Sequence, residues 1–355
     1  MMGKRLGLLA ALLLILVIMI VEVTQKDEVQ QWFAETPFKQ DQLQEKQVPS
    51  EEALEGRRGE SGVVLDQLID MTEDELKQAF GEPERKDPSS YGYEWWIYPI
   101  NSHSYLQAGV ADGNVVTCYY MGDELSDPIF DGQLTYENLS SENEFETTVE
   151  VKNDSGTYQF RLTEEDVRAR PLIEYGDNWL QLYFDIHTSE LSTVRLLTTD
   201  MLLKQKPYWM TYRGTIPEEK TLSSEEWKAI EAGEEKQIFH LTNMIRRKHG
   251  LEPYKWNEDV RNIAYKHSLD MVVNDYFDHI SPTYGKLDAR FIAGEVPFKT
   301  AGENIALNYV DGAAAVEGWL NSEGHRVNLL HEGFTELGVG VYEKSFTQNF
   351  LTPAE

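Results

Sequence analysis

Gly302-Glu303-Asn304-Ile305-Ala306, Ala313-Ala314-Ala315-Val316-Glu317-Gly318-Trp319-Leu320, Leu337-Gly338-Val339-Gly340-Val341-Tyr342 and Phe346-Thr347-Gln348-Asn349-Phe350-Leu351 close the chain. Ala313, Val316 and Leu320 have helical spacing, whereas Leu337–Tyr342 and Phe346–Leu351 read as strands. Upstream, Ile238, Leu241 and Ile245 set another helical period, which His249-Gly250 ends. Val260, Ala264, His267 and Met271 mark one face of a second helix. Helices come first and a small sheet closes the domain, a layered α/β pattern over residues 234–355.

Working back from there, 213–233 reads as an acidic linker, with Ser223-Ser224-Glu225-Glu226 as a helix cap that leads into the next domain. Residues 61–212 read as a β-rich α+β domain. Thr72-Glu73-Asp74-Glu75 is a capping box, Tyr93-Glu94-Trp95-Trp96-Ile97-Tyr98 is dense in strand formers, and Asp112-Gly113 is a hairpin turn. An echo of the capping box, 91 positions on at Thr163-Glu164-Glu165-Asp166, suggests a duplicated helix-plus-sheet unit. Of the Trp95-Trp96 pair, one ring is expected in the core, and core packing is favoured for the other over an exposed, ligand-binding role. Residues 24–60, rich in Gln, Glu, Asp and Lys, read as a stalk.

Lys4 and Arg5 precede an unbroken apolar run from Leu6 to Val21. No pair of small residues suited to cleavage follows it, and no cysteine for lipid attachment. The expectation is an uncleaved signal-anchor over 1–23, a transmembrane helix with its basic flank inside. The chain is then a single-pass cell-membrane protein, anchored through that helix, with its N-terminus inside and its domains extracytoplasmic.

The 355 residues carry 61 acidic and 32 basic side chains, a formal net charge of −29. Such a chain is repelled by phosphate backbones, so no nucleic-acid partner is expected. Residues 234–355 hold 12 basic and 18 acidic residues, net −6, so the remaining −23 is concentrated upstream. A single cysteine, Cys118, excludes an internal disulfide framework and Cys-rich zinc sites.

Several motifs then follow in order. They are His267-Ser268-Leu269-Asp270-Met271, Phe277-Asp278-His279-Ile280-Ser281-Pro282, Gly302-Glu303-Asn304, Trp319-Leu320-Asn321-Ser322-Glu323-Gly324-His325-Arg326, Gly338-Val339-Gly340-Val341 and Thr347-Gln348-Asn349-Phe350. This series resembles the bacterial branch of the CAP superfamily (cysteine-rich secretory proteins, antigen 5, pathogenesis-related 1), also called SCP domains. The aromatic domain before it resembles the CAP-associated N-terminal module. The resemblance implies an α-β-α sandwich with a cleft that often carries two His and two Glu. His279, Glu303 and His325 fall on three of these positions. Glu323 is the candidate for the fourth, and Glu317, read as a solvated helix residue, is the other. His279 and His325 with these carboxylates are the residue types that hold a divalent metal such as zinc, and without one they can move protons.

On residues alone each has a plainer role. His267 suits a core or cleft wall, His279 a helix-end cap, His325 a turn, and Asn304 a loop tie. Three functional classes follow. The first is a binding module in the cell envelope with a cell-wall, lipid or protein ligand, which the resemblance implies most directly. The second is a metal-dependent hydrolase of peptides or wall polymers. The third is a structural or signalling protein recognised through its N-terminal domain. Whether the chain is an enzyme stays open at this level, with binding favoured: it has neither H-E-x-x-H nor G-x-S-x-G.

Overall fold

The computed structural model describes residues 65–99, 104–122, 130 and 134–354. These fall within one compact unit, 49–355. Thr72 and Glu75 form the capping box of α1 (Glu73–Phe80). Four antiparallel strands follow, β1 (Arg85–Pro88), β2 (Glu94–Pro99), β3 (Tyr105–Ala111) and β4 (Asn114–Met121), the last two joined at Asp112-Gly113. After α2 (Tyr136–Glu142) come β5 (Thr148–Asn153) and β6 (Gly156–Arg161). The second capping box, Thr163 with Asp166, opens α3 (Glu164–Ala169). Then come β7 (Leu172–Tyr175), β8 (Asn178–Asp185), β9 (Glu190–Thr198), α4 (Thr199–Gln205) and β10 (Trp209–Gly214). The main sheet has the order β1-β2-β3-β4-β9-β8-β7. Each half therefore runs from an edge inward, and the halves meet where Cys118 pairs with Leu196. A second sheet is β10-β6-β5.

Both faces of the main sheet are covered. Trp95 and Trp96 point to opposite faces and both are buried, so neither ring is presented to a ligand. Lys86 lies over the Trp96 ring, 3.5 Å from its centroid.

The expected acidic linker ends at its own cap. Ser223 and Glu226 start α5 (Ser224–Lys248), which runs unbroken into the C-terminal domain. Three of its acids are buried: Glu235 pairs with Arg261 at 2.7 Å, Glu231 accepts from the Glu343 amide, and Glu234 lies among them. The rest of the domain is β11 (Lys255–Trp256), α6 (Glu258–Val273), α7 (Leu287–Ala293), β12 (Phe298–Leu307), α8 (Gly312–Asn321), α9 (Glu323–Leu329), β13 (Glu336–Tyr342) and β14 (Ser345–Pro353). Its sheet order is β11-β13-β14-β12. Leu337, Val339 and Val341 join Ile238 and Leu241 of α5 in one core. Gly338 and Gly340 meet α6 on the other face. A Cβ at Gly340 would sit 1.9 Å from the Tyr265 amide nitrogen, so only glycine lets the helix lie on the strand backbone. The architecture is a β-rich domain followed by an α-β-α sandwich.

The expected membrane anchor is corrected. Among the described residues no helix is long and apolar enough to cross a membrane. The longest, α5, has 25 residues, but its apolar positions share the helix with many acids, so it faces a protein core rather than lipid. Residues 1–23, and the stalk at 24–60, lie outside the described residues. No described helix therefore supplies the transmembrane helix, the single-pass topology with its N-terminus inside or the membrane partner expected from residues 1–23.

The two domains share one hydrophobic core, in which Trp95, Tyr119 and Tyr183 pack with Val316 and Trp319. Polar contacts fix their register. Glu317 of α8, expected to be solvated, is 1% exposed. It accepts hydrogen bonds from Tyr119 Oη at 2.9 Å, Ser192 Oγ at 3.1 Å and Thr193 Oγ1 at 2.9 Å. Asp311 caps α8 through the Ala314 amide and pairs with fully buried Arg195 at 2.8 Å. Removing one partner of such a buried pair costs about 3–5 kcal/mol, because the other charge stays behind. Asp311→Ala should therefore lose that amount in urea unfolding. Glu317→Ala, which strands three hydroxyls each worth ~1 kcal/mol, should lose about 3 kcal/mol, and Glu317→Gln much less. Both domains should still unfold in one transition.

Candidate functional site: a histidine–glutamate cleft at the sheet edge

β12 is an edge strand, and alternation along it divides the Gly302-Glu303-Asn304 motif between two faces. Glu303 turns to the α6 side. Its Oε1 lies 3.0 Å from His279 Nδ1, and 3.8 Å from Nε2 of buried His267. The Arg290 guanidinium of α7 is 2.9 Å from the same carboxylate and also donates to the His279 carbonyl at 3.1 Å. Asn304 turns to the other side. Its amide donates to the His325 carbonyl and to Gln348, and its oxygen accepts from Asn328. The loop tie read for Asn304 is thus a tie between β12 and α9.

The loop carrying His279 is itself held. Ser281 Oγ donates to Asp270 at 2.7 Å and accepts from the amides of Thr283 and Tyr284. His325 stands in α9, its Nδ1 2.8 Å from Ser322 Oγ. The structure thus brings His279, Glu303 and His267 together, with His325 nearby. It does not bring in Glu323, which is exposed in the first turn of α9, or Glu317, which faces the other domain. Arg290 was missed. An arginine inside Asp288-Ala289-Arg290-Phe291 has no spacing signal that ties it to Glu303.

Electrostatics separate the three imidazoles. Burial pushes the Glu303 carboxyl up, but His279, Arg290 and His267 outweigh it and hold the group below its ordinary value. The hydrogen bond to Glu303 raises His279 above the usual imidazole value, against partial burial. Burial pushes His267 down to about 4, despite the attraction of Glu303. Burial also lowers His325, and the charge of His279 lowers it further. With Nδ1–H directed at Glu303, His279 has Nε2 left for an outside partner, as acceptor when neutral and donor when protonated. The side chain is 53% exposed. Phe277 and Ile280, on the same loop, are exposed apolar neighbours in sequence.

The metal reading of His279 and His325 finds no ready cluster to carry it. Among the described residues no group of three or more His, Cys, Asp or Glu side chains could hold a metal ion. Arg290 already pairs with Glu303, which makes that carboxylate a poor direct ligand, while the Nδ1 contact to Glu303 leaves His279 Nε2 open.

A groove of about 520 Å³ opens beside His325 and Ser322 and runs between the two domains. Phe277, Tyr309 and Trp319 line it from the sandwich, and Glu165, Asp166 and Arg170 from α3 and the residue after it.

Fold and cleft together define a CAP-type sandwich with an attached N-terminal domain. Residues 239–352 match the cysteine-rich secretory protein family, and residues 69–208 match the CAP-associated N-terminal family. The chain is 42% identical over 323 residues to the uncharacterized membrane protein YlbC of Bacillus subtilis (strain 168), covering 90% of this chain and 92% of that protein. It is similar to the crystal structure of an extracellular protein containing a SCP domain from Bacillus anthracis str. Ames. That match has 42% identity and a TM-score of 0.78, over 87% of this chain and 99% of the other. A cysteine-rich secretory protein from Staphylococcus aureus (SAV1118) shares the fold, at 24% identity and a TM-score of 0.72, over 82% of this chain and 95% of the other. The chain belongs to the CAP superfamily, in its bacterial arrangement with a CAP-associated N-terminal domain.

The pH response of the cleft follows from these shifts. The His279–Glu303 contribution to stability is present below the ordinary imidazole value, ~6.5, and is lost as pH rises through the raised value of His279. His267 acts oppositely: the stability it gives by staying neutral is lost as pH falls from that ordinary value toward about 4. Titration of imidazole NMR shifts should place His279 above its ordinary value and His267 and His325 below theirs. Glu303→Gln should bring the His279 midpoint down; an unmoved midpoint would refute the pairing.

Proposed function

We propose that this protein is an extracytoplasmic binding module whose CAP domain engages its ligand at the cleft formed by His279, Glu303 and His325. One observation carries this reading. The Glu303 charge is paired inside the protein with Arg290 and hydrogen-bonded to His279, whose imidazole stands half in solvent. A pre-ordered polar group beside exposed apolar side chains is the composition of a recognition site. It orients a ligand by hydrogen bonding, and ordering it costs little on binding because Glu303 and Arg290 already fix the ring. An extracytoplasmic setting is supported by the extracellular Bacillus anthracis relative, which matches over nearly its whole length.

The test is calorimetric titration of the full-length protein with soluble muropeptides and with short unstructured peptides. Saturable binding of one class, weakened about tenfold or more by His279→Ala and unaffected by His331→Ala, is expected, since one charged hydrogen bond is worth roughly 1.5–3 kcal/mol. Equal binding by wild type and His279→Ala would overturn the assignment of the cleft. Product formation during the titration would replace binding by catalysis.

A further inference from the structure

On the far side of Arg170 and Tyr309 from the His325 groove lies a separate polar pocket of about 420 Å³. Four cations line it, Arg170, Lys204, Lys206 and Lys344, against one carboxylate, Glu219. In a chain of net charge −29 this concentration is anomalous. Arg170 is paired with Asp166 at 2.7 Å and Lys206 with Glu219 at 2.5 Å. Lys204 has no ion-pair partner among the described residues; the Lys344 ammonium donates to the Tyr91 hydroxyl at 3.4 Å and lies over the Tyr91 ring, within electrostatic reach of Glu219 and Glu234. None of the three lysines is fully exposed, although lysine ordinarily keeps its head in water.

The backbone adds an independent observation. Lys206 follows α4 in the left-handed conformation, φ 46° and ψ 59°. Glycine adopts it freely and a lysine only at a cost. A strained residue whose charge enters a pocket points to use of that charge. The site draws on both domains: Lys204 and Lys206 come from the first, Lys344 from the β13–β14 turn of the second, and the shared core holds them in place.

We propose that this interdomain pocket binds a phosphate ester. Lysines act on phosphate as point charges that need no planar match, and a dianion balances the cations left over once Asp166 and Glu219 are counted. The volume exceeds what a bare phosphate fills and suits an ester with a polyol or sugar portion, for which the Tyr91 phenol and Asn308 supply polar walls. The site is independent of the His279 cleft, whose residues do not line it.

The test uses the full-length protein, titrated calorimetrically with glycerol 3-phosphate, inorganic phosphate and glycerol. Saturable binding of glycerol 3-phosphate is expected, tighter than that of inorganic phosphate, absent for glycerol, and weaker in added salt. Lys204→Ala/Lys344→Ala should weaken it at least about tenfold, while Lys299→Ala leaves it unchanged. Lys206→Gly removes a charge but suits the left-handed backbone, so it should keep the unfolding temperature and still lose affinity, which separates binding from folding. Tighter binding of a glycerol-phosphate oligomer would assign the natural ligand to a polymer, and equal binding to a free ester. No saturable binding of glycerol 3-phosphate, or equal binding by the double variant, would overturn the proposal.

Discussion

The arrangement of this molecule depends on a polar seam buried inside an otherwise apolar contact between its two domains. Glu317 reaches out of α8 to three hydroxyls on β4 and β9, and Asp311, at the start of the same helix, holds Arg195. Apolar packing alone tolerates sliding, because it is non-directional. A buried carboxylate with three donors does not, because any displacement leaves desolvated groups unpaired. The seam therefore makes two domains one body, and the recognition surfaces of the second are shaped by the first.

That fixed register explains why the cavities lie where they do. The groove beside His325 has one wall from α3, and the lysine pocket takes cations from both sides. Neither would persist if the domains were linked only by a flexible segment, and α5 is not one: it is capped by Ser223, lies so close to β1 at Gly233 that a Cβ there would sit 2.7 Å from Asp87 Cβ, and continues into the sandwich. The acid-rich composition of this stretch is misleading in isolation. Some of its carboxyls are solvated, but Glu231, Glu234 and Glu235 are buried, and burial raises all three, Glu235 to about 7 even beside Arg261.

The His279–Glu303 site follows a different logic. Its parts come from a loop, a strand edge and two helices, and only the alternation of β12 decides that Glu303 meets the imidazoles while Asn304 holds α9. Arg290 completes the site by fixing the charge of Glu303, and with it the tautomer and direction of His279. The cleft is therefore a pre-ordered hydrogen-bonding surface.

Much was legible in the sequence because it rests on local rules. Capping boxes at Thr72, Thr163 and Ser223, the hairpin at Asp112-Gly113, the helical spacing of Val260, Ala264 and Met271 and the closing strands all depend on neighbours within a few residues. The ordered motifs from His267 to Phe350 add the family. Contacts spanning many residues were not legible, since no spacing encodes them. The fate of Glu317 as an interdomain anchor, the arrival of Arg290 at Glu303 and the meeting of Lys204 with Lys344 are decided by how the sheets stack. Sequence alone determined which elements form and which residue types were available. Tertiary structure decided which of them face each other, because the energy of a buried charge depends on partners that the chain brings close only when folded.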